Sequence, residues 1–417
     1  MAKTVWDEVL DTQHAVVTRT YIERWPRKDR VPEKVLVVVV EPDEEMRNRC
    51  PRCGARGKPV EHDVVRWRTL DVHGKRAFLE SRVPRILCGG HGKITAAVPW
   101  ARHDDRFSRP FEEFAAWQAA HLPWTRAAAV LRVTWEALGT ITARVTADAA
   151  TGRDRLDKLT RIGIDEKSWG KGQDKYLVIV TDHDAGRVAW VGEGRCQATV
   201  DAFFDALGEQ RAKALTHVSA DGAGWVHPVV RRRAPQAQIC LDPFHVVKWA
   251  GEKLDQVRRR IAGELRAAGR SDEAATLGAG LWALRKDQQK QTPRQRGALA
   301  QIAVTNKPLY KGYLIKEQIR EAFKVKGEAG KTLMRAVTAW AQRCRIPEFI
   351  ALATTLSHYT DSIVAALDGG PSNGRAEALN SQVSALITRA RGFRSATALM
   401  AMINLVHGGL CPESPYA

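Results

Sequence analysis

The sequence predicts a multidomain α/β chain with an all-helical segment inserted into it. Three observations carry this expectation. Period-two hydrophobic alternation yields to helical spacing near residue 108, returns near residue 161, and yields again after residue 249. Cysteine and histidine recur as two pairs near the amino end, in "CPRCG" and "LCGGHG". Acidic residues end separate strand-like runs in the middle of the chain.

Length and charge set the frame. At 417 residues there is room for about two to four domains. Lys plus Arg is 65 against 47 for Asp plus Glu, a net charge of +18, which points to a polyanionic partner, nucleic acid first. No stretch approaches the roughly 20 apolar residues of a membrane span, and "VLVVVV" at 35–40 is strand-sized. The amino terminus lacks a basic-then-apolar signal pattern, so a cytoplasmic, nucleoid-associated protein is expected. Seven cysteines, mostly far apart, suit thiols or a metal site better than a disulfide framework.

The first module, residues 1–104, is read as a β segment. Cys50 and Cys53 form a knuckle, and Cys88 and His91 repeat its gap after a spacer of 34 residues. Four soft or borderline ligands in two such pairs suit tetrahedral Zn²⁺, a staple that a β segment with little core needs. His62, His73 and His103 are alternative fourth ligands.

Residues 105–150 turn helical. Ser108 is placed to cap a helix with Pro110 in its first turn, followed by a short helix capped by Thr125 and another capped by Thr134. This is helix-turn-helix spacing, although an ordinary helical hairpin has the same pattern. In the DNA-binding reading Arg126, Thr140 and Arg144 face DNA while Val130, Leu131 and Leu138 pack inward.

Over 158–250 the period changes again. "RIGIDEKSW", "KYLVIVTDHD" and "RVAWVGEG" read as three strands, followed by helix, strand, helix and strand, an α/β unit with helices covering a mixed sheet. Asp165 ends the first strand and Asp221 the fourth. Ligands gather at strand carboxyl ends in such sheets. Glu166 follows Asp165 directly, but alternation sends the two to opposite faces, so only one can serve a common site.

Residues 251–369 are rich in helix formers, with 11 Lys or Arg against 6 Asp or Glu over 251–300. Trp282 and Trp340 are candidates for stacking on an unpaired base, or else core residues. The closing segment, 370–410, begins with "PSNGRAEALNSQ". There Glu377 stands in the first turn of a helix with apolar Ala376, Leu379, Val383 and Leu386 on one face and polar Asn380, Ser381, Ser384 and Thr388 on the other. With Asp165 and Asp221 it makes a third carboxylate, the donor set for two Mg²⁺ ions in phosphodiester chemistry.

"GIDEKSW", "SADGAGW", "LDPFHVVK", "NGRAEALNS" and "ARGFRS" together resemble the ISL-three family of bacterial insertion-sequence transposases. The resemblance implies a ribonuclease-H-like catalytic core, interrupted by the all-α insertion and preceded by a zinc-ribbon-like module and a helix-turn-helix. It implies an Asp-Asp-Glu triad at Asp165, Asp221 and Glu377, a supporting signature at Asp242 and His245, and two Mg²⁺ ions, with Mn²⁺ as a substitute, beside the structural Zn²⁺ of Cys50, Cys53, Cys88 and His91. The expected function is a DNA transposase that binds the terminal inverted repeats of its element, cleaves there and transfers the strand to target DNA. The expected assembly is a homodimer or higher, without a membrane. The rival readings are a ribonuclease-H-type nuclease or resolvase without strand transfer, and a zinc and helix-turn-helix DNA-binding regulator.

Overall fold

The computed structural model describes residues 13–27, 30–172, 174–222 and 224–414, with Trp6 and Glu8. The module expected over 1–104 therefore starts among residues outside the described ones. The chain divides into two compact units, Met1–Gly152 with Leu410–Ala417, and Arg153–Gly409.

The first unit is built on a five-stranded sheet in the order β1-β2-β4-β3, with β5 on β4. The strands are β1 (Ala15–Arg27), β2 (Arg30–Pro42), β3 (Lys58–Val72), β4 (Lys75–Cys88) and β5 (Gly92–Thr95). The run "VLVVVV" lies in β2, where Val35 and Val37 bury one face with Phe78 and Leu36, Val38 and Val40 bury the other. Burial on both faces explains the unbroken apolar run.

Three helices follow, Arg109–His121, Trp124–Leu131 and Trp135–Thr151. Ser108 caps the first by accepting from the Phe111 amide, and Thr134 caps the third through the Ala137 amide. The expected cap at Thr125 is corrected: the middle helix begins at Trp124 behind Pro123 and has no side-chain cap. Val130 is also corrected, from inward-facing to 57% exposed. The buried side of its helix runs through Trp124, Ala127, Ala128 and Leu131, and that phase turns residue 130 to solvent.

The second unit holds a sheet in the order β10-β9-β6-β7-β8. Strands β6 (Arg161–Ser168), β7 (Tyr176–Asp182) and β8 (Arg187–Glu193) form an antiparallel meander, and β9 (His217–Ala220) and β10 (Gln238–Leu241) extend it parallel to β6. Ile162, Ile164, Val218 and Ala220 pack with Phe203, Phe204, Val229 and Val230 from helices Gln197–Leu207 and Val226–Arg233. The opposite parity, Gly163, Asp165 and Lys167 on β6, is left for the helix Gly374–Arg389.

After β10 the helix Pro243–Ala267 runs without a break across the boundary expected at 250/251. The helices from there to Thr360–Leu367 share a core that includes Cys240 and Leu241 of β10. Trp340 packs against that core, whereas Trp282 is 61% exposed. No helix among the described residues is long and apolar enough to cross a membrane.

Candidate functional site

The pairing register determines where the acids stand. Ile164 on β6 pairs with Ala220 on β9, which pairs with Leu241 on β10. Asp165, Asp221 and Asp242 each come one residue later. Three neighbouring parallel strands therefore deliver one aspartate apiece to the same edge of the sheet.

Two hydrogen bonds fix Asp165. The Glu166 amide donates to its Oδ1 at 2.8 Å and the Asn380 side chain to its Oδ2 at 2.7 Å. Burial, then the neighbouring Asp221 charge, push its carboxyl up to about 6 against those bonds. Glu166 ion-pairs with Arg195 at 2.5 Å. The polar stripe of the Glu377 helix thus docks on β6, Asn380 on Asp165 and Ser384 on the Lys167 ammonium at 2.5 Å.

Glu377 lies in the first turn of its helix, its amide bonded to the Asn373 carbonyl at 2.8 Å. It groups with Asp242 and His245, one donor atom from each within 4.8 Å of the others. Asp242 is buried and holds His245 Nδ1 at 2.9 Å. That bond raises the His245 pKa against burial, with help from the charges of Asp242 and Asp221. Burial, then the Asp242 charge, raise the Glu377 pKa. Glu377 is thus grouped with the Asp-x-x-His pair, and Asp165 is coupled electrostatically to Asp221 and His245.

Behind these acids lies a buried polar relay absent from the sequence reading. Ser219 Oγ donates to Asn373 Oδ1 at 3.0 Å, and with its single proton so placed it accepts from His183 Nε2 at 2.7 Å. Burial, then the Arg375 and Arg161 charges, depress the His183 pKa to about 4, so the ring is neutral. A Cβ at residue 163 would stand 2.9 Å from His183 Nε2 and 3.1 Å from Ser219 Oγ, so Gly163 is the residue that admits the relay. Gly163 and Ser219 lie two residues before Asp165 and Asp221, on the same faces of their strands. That shared parity is the one sequence signal that could have found them.

The insertion walls the loop after Asp221. Tyr359 donates from its hydroxyl to the Gly222 carbonyl at 3.2 Å, and a Cβ at Gly222 would meet the Trp249 ring at 2.3 Å.

In the first unit Cys50, Cys53, Cys88 and His91 converge with their donor atoms within 4.8 Å of one another. Cys50 Sγ and Cys88 Sγ each lie 3.7 Å from His91 Nδ1, and Cys53 Sγ lies 3.7 Å from Cys88 Sγ. Donors about 2.3 Å from one tetrahedral centre stand about 3.7 Å apart, so the set fits zinc. Burial opposes ionisation of Cys50, but the backbone amides of Arg52 and Cys53 and the neighbouring thiols outweigh it and bring the thiol to about 6. His62, His73 and His103 lie outside this cluster, which leaves His91 as its imidazole.

Of the residues expected to face DNA, Arg126 and Thr140 are exposed. Arg144 is redirected. Its guanidinium pairs with the fully buried Glu112 at 2.5 Å and with Asp105 at 2.7 Å, so it serves the fold of its own unit.

A transposase family model, of the ISL3 (ISL-three) type, matches residues 162–403, which contain Asp165, Asp221, Asp242, His245 and Glu377. The chain belongs to that family. A second model, described as the zinc-finger of transposase IS204/IS1001/IS1096/IS1165, matches residues 47–91, the span holding all four cluster ligands. The transposase is 41% identical over 401 residues to the transposase for insertion sequence element IS1557 of Mycobacterium tuberculosis (strain ATCC 25618 / H37Rv), covering 91% of this chain and 90% of that protein. It is 25% identical over 381 residues to the transposase for insertion sequence element IS1001 of Bordetella parapertussis, covering 89% and 90%. This is a DNA-binding transposase of an insertion sequence, with a zinc ribbon near its amino end.

Proposed function

We propose that the transposase binds the terminal inverted repeats of its element, cleaves the DNA there with an Asp-Asp-Glu site, and joins the freed 3′-hydroxyl to target DNA. The observation that carries this reading is the register of β6, β9 and β10, which brings Asp165, Asp221 and Asp242 to one sheet edge. A ribonuclease-H-like core is supported by the same sheet, a three-stranded meander extended by two parallel strands.

Asp165, Asp221 and Glu377 are the oxygen donors that would hold two Mg²⁺ ions, or Mn²⁺ in their place. Bound there, the metal would supply Lewis-acid chemistry, activation of a water and neutralisation of charge on the phosphate. Asn380 keeps Asp165 in one rotamer, and Arg195 holds Glu166 to another role. Asp242 accepts from His245 Nδ1 and favours the protonated ring, whose Nε2–H would donate to a scissile phosphate oxygen. The helices Trp124–Leu131 and Trp135–Thr151 are read as the helix-turn-helix, with Arg126 and Thr140 toward DNA. Two ends must be joined in one event, so a homodimer or higher is the working assembly.

The test uses labelled duplex from the element's own ends, Mg²⁺ and a target plasmid. Wild-type protein should nick the ends and yield joined product. Asp165→Asn, Asp221→Asn and Glu377→Gln should each abolish both steps while retaining gel-shift affinity. Cleavage without joining would favour a nuclease or resolvase, and a triad variant that cuts near the wild-type rate would remove that residue from the site.

A further inference from the structure

A cavity of about 800 Å³ in the second unit opens along the helix that carries His245. This size falls in the roughly 300–1,000 Å³ range of sites for small organic groups. Phe244 stands at its mouth, 60% exposed, with its ring edge-on to His245 at 5.8 Å between centroids. Val247 and Phe323 line the interior.

The walls are cationic. Six lining residues are basic, Lys248, Arg259, Arg285, Lys316, Arg320 and Lys324. Five of them are engaged: Arg259 and Arg285 with Asp255, Lys316 and Arg320 with Glu317, and Lys324 with Asp287. Asp255 is already matched, with Arg258 at 2.8 Å and Arg259 at 2.5 Å. Lys248 is exposed, one helical turn from Phe244. An exposed aromatic face one turn from an exposed lysine is a pairing that suits a nucleotide of a single strand, because every base has a π-face and every link a phosphate.

We propose that this groove receives an unpaired nucleotide of the DNA end, with its base stacked on Phe244 and its phosphate at Lys248. The inference rests on the reading of the neighbouring acids as the cleavage site. Phe244 lies in sequence between Asp242 and His245, so a base held there belongs to the strand passing that site. The groove thereby fixes the position of the scissile bond by withdrawing a base from the helix next to it.

Gly251 provides a test that leaves the fold alone. It lines the groove, and a Cβ added there meets nothing within 4 Å. Gly251→Leu therefore fills the space and favours the helix. End duplexes carrying 2-aminopurine at single positions around the cut would be titrated with full-length Asp165→Asn protein, alone and combined with Gly251→Leu or Phe244→Ala. One position should change emission on binding, and both added substitutions should abolish that change, with about tenfold loss of affinity for ends bearing an unpaired overhang. Thermal melting would confirm that each variant is folded. If folded Gly251→Leu and Phe244→Ala proteins give the parental emission at every position, or bind the overhang as tightly, the groove does not hold a base. Cleavage of the same ends by wild-type protein is scored separately, so a failure of the groove is distinguished from a failure of the cleavage site.

Discussion

Ser219 and Asn373 lie 154 residues apart in sequence and share a hydrogen bond of 3.0 Å in the buried interior. The bond ties the strand that leads into Asp221 to the residue from which the Glu377 helix starts. Two of the three expected metal-binding carboxylates are thereby indexed to each other without touching.

Ser219→Ala should leave His183 and Asn373 short of a buried partner, at a cost of about 1–3 kcal/mol. End binding should persist. Cleavage should need several-fold more Mg²⁺ for half-maximal rate, and Ser219→Thr should recover part of the loss. A melting temperature lowered with no change in the Mg²⁺ requirement would reduce the relay to simple packing.

Asp165 gives a pH prediction. Its native pKa, about 6, lies above the ordinary aspartate value of 3.8, so the folded state binds the extra proton between those values. That contribution to stability is present at low pH and lost as pH rises through about 6. Metal-free Asp165→Asn protein should therefore melt higher than wild type at pH 7.5, with the gap narrowing by pH 4.5 and closing below 3.8. A gap of a few degrees is expected, since 1 kcal/mol moves the melting point by about 2–4 °C in a unit of this size. Saturating Mg²⁺ should narrow or reverse the gap, as calorimetry would show.

Purified transposase should carry one zinc per chain. Cys50→Ser with Cys53→Ser should lose it, melt the first unit and weaken end binding, because folding of such a module is coupled to its metal. Elemental analysis and a two-unit calorimetric trace measure both effects. Zinc retained by the double variant would move the site elsewhere.

Arg144→Ala should act on stability. Removing its charge-assisted bonds to Glu112 and Asp105 should cost about 2 kcal/mol. Discrimination between the terminal repeat and random duplex should stay near wild type, with Arg126→Ala or Thr140→Ala reducing it instead. For either duplex, binding should fall about a thousandfold or more between roughly 50 and 200 mM salt if about six phosphates are contacted.

The β6–β10 order of elements was legible because each strand is a short apolar run bounded by polar turns, and because Asp165 and Asp221 follow the last buried residue of their runs. Asp165 does not end its strand as expected, since pairing with β7 carries β6 on to Ser168. The cysteine knuckles were legible by spacing alone. Strand β1 was not read, since "AVVTRTYIERWPR" mixes charge into its alternation and its pairing with β2 is set by tertiary contact. Asn380 was placed on the correct helix face, but its partner is 215 residues away and no local pattern names it. The partners of Arg144 were hidden for a related reason. An exposed-looking arginine on a helix carries no mark of the buried glutamate that claims it.

The unbroken helix Pro243–Ala267 has a mechanical meaning. At 25 residues it is a rod about 37 Å long, anchored at one end by the Asp242 cap. The insertion cannot be trimmed away to leave a minimal enzyme, because a cut at residue 250 would sever the rod and strip the cover from Cys240 and Leu241. A load placed on its far end would twist the turn that presents His245. Movement of the inserted helices packed along it is thus carried toward His245 by continuous helix, with no intervening loop to absorb it.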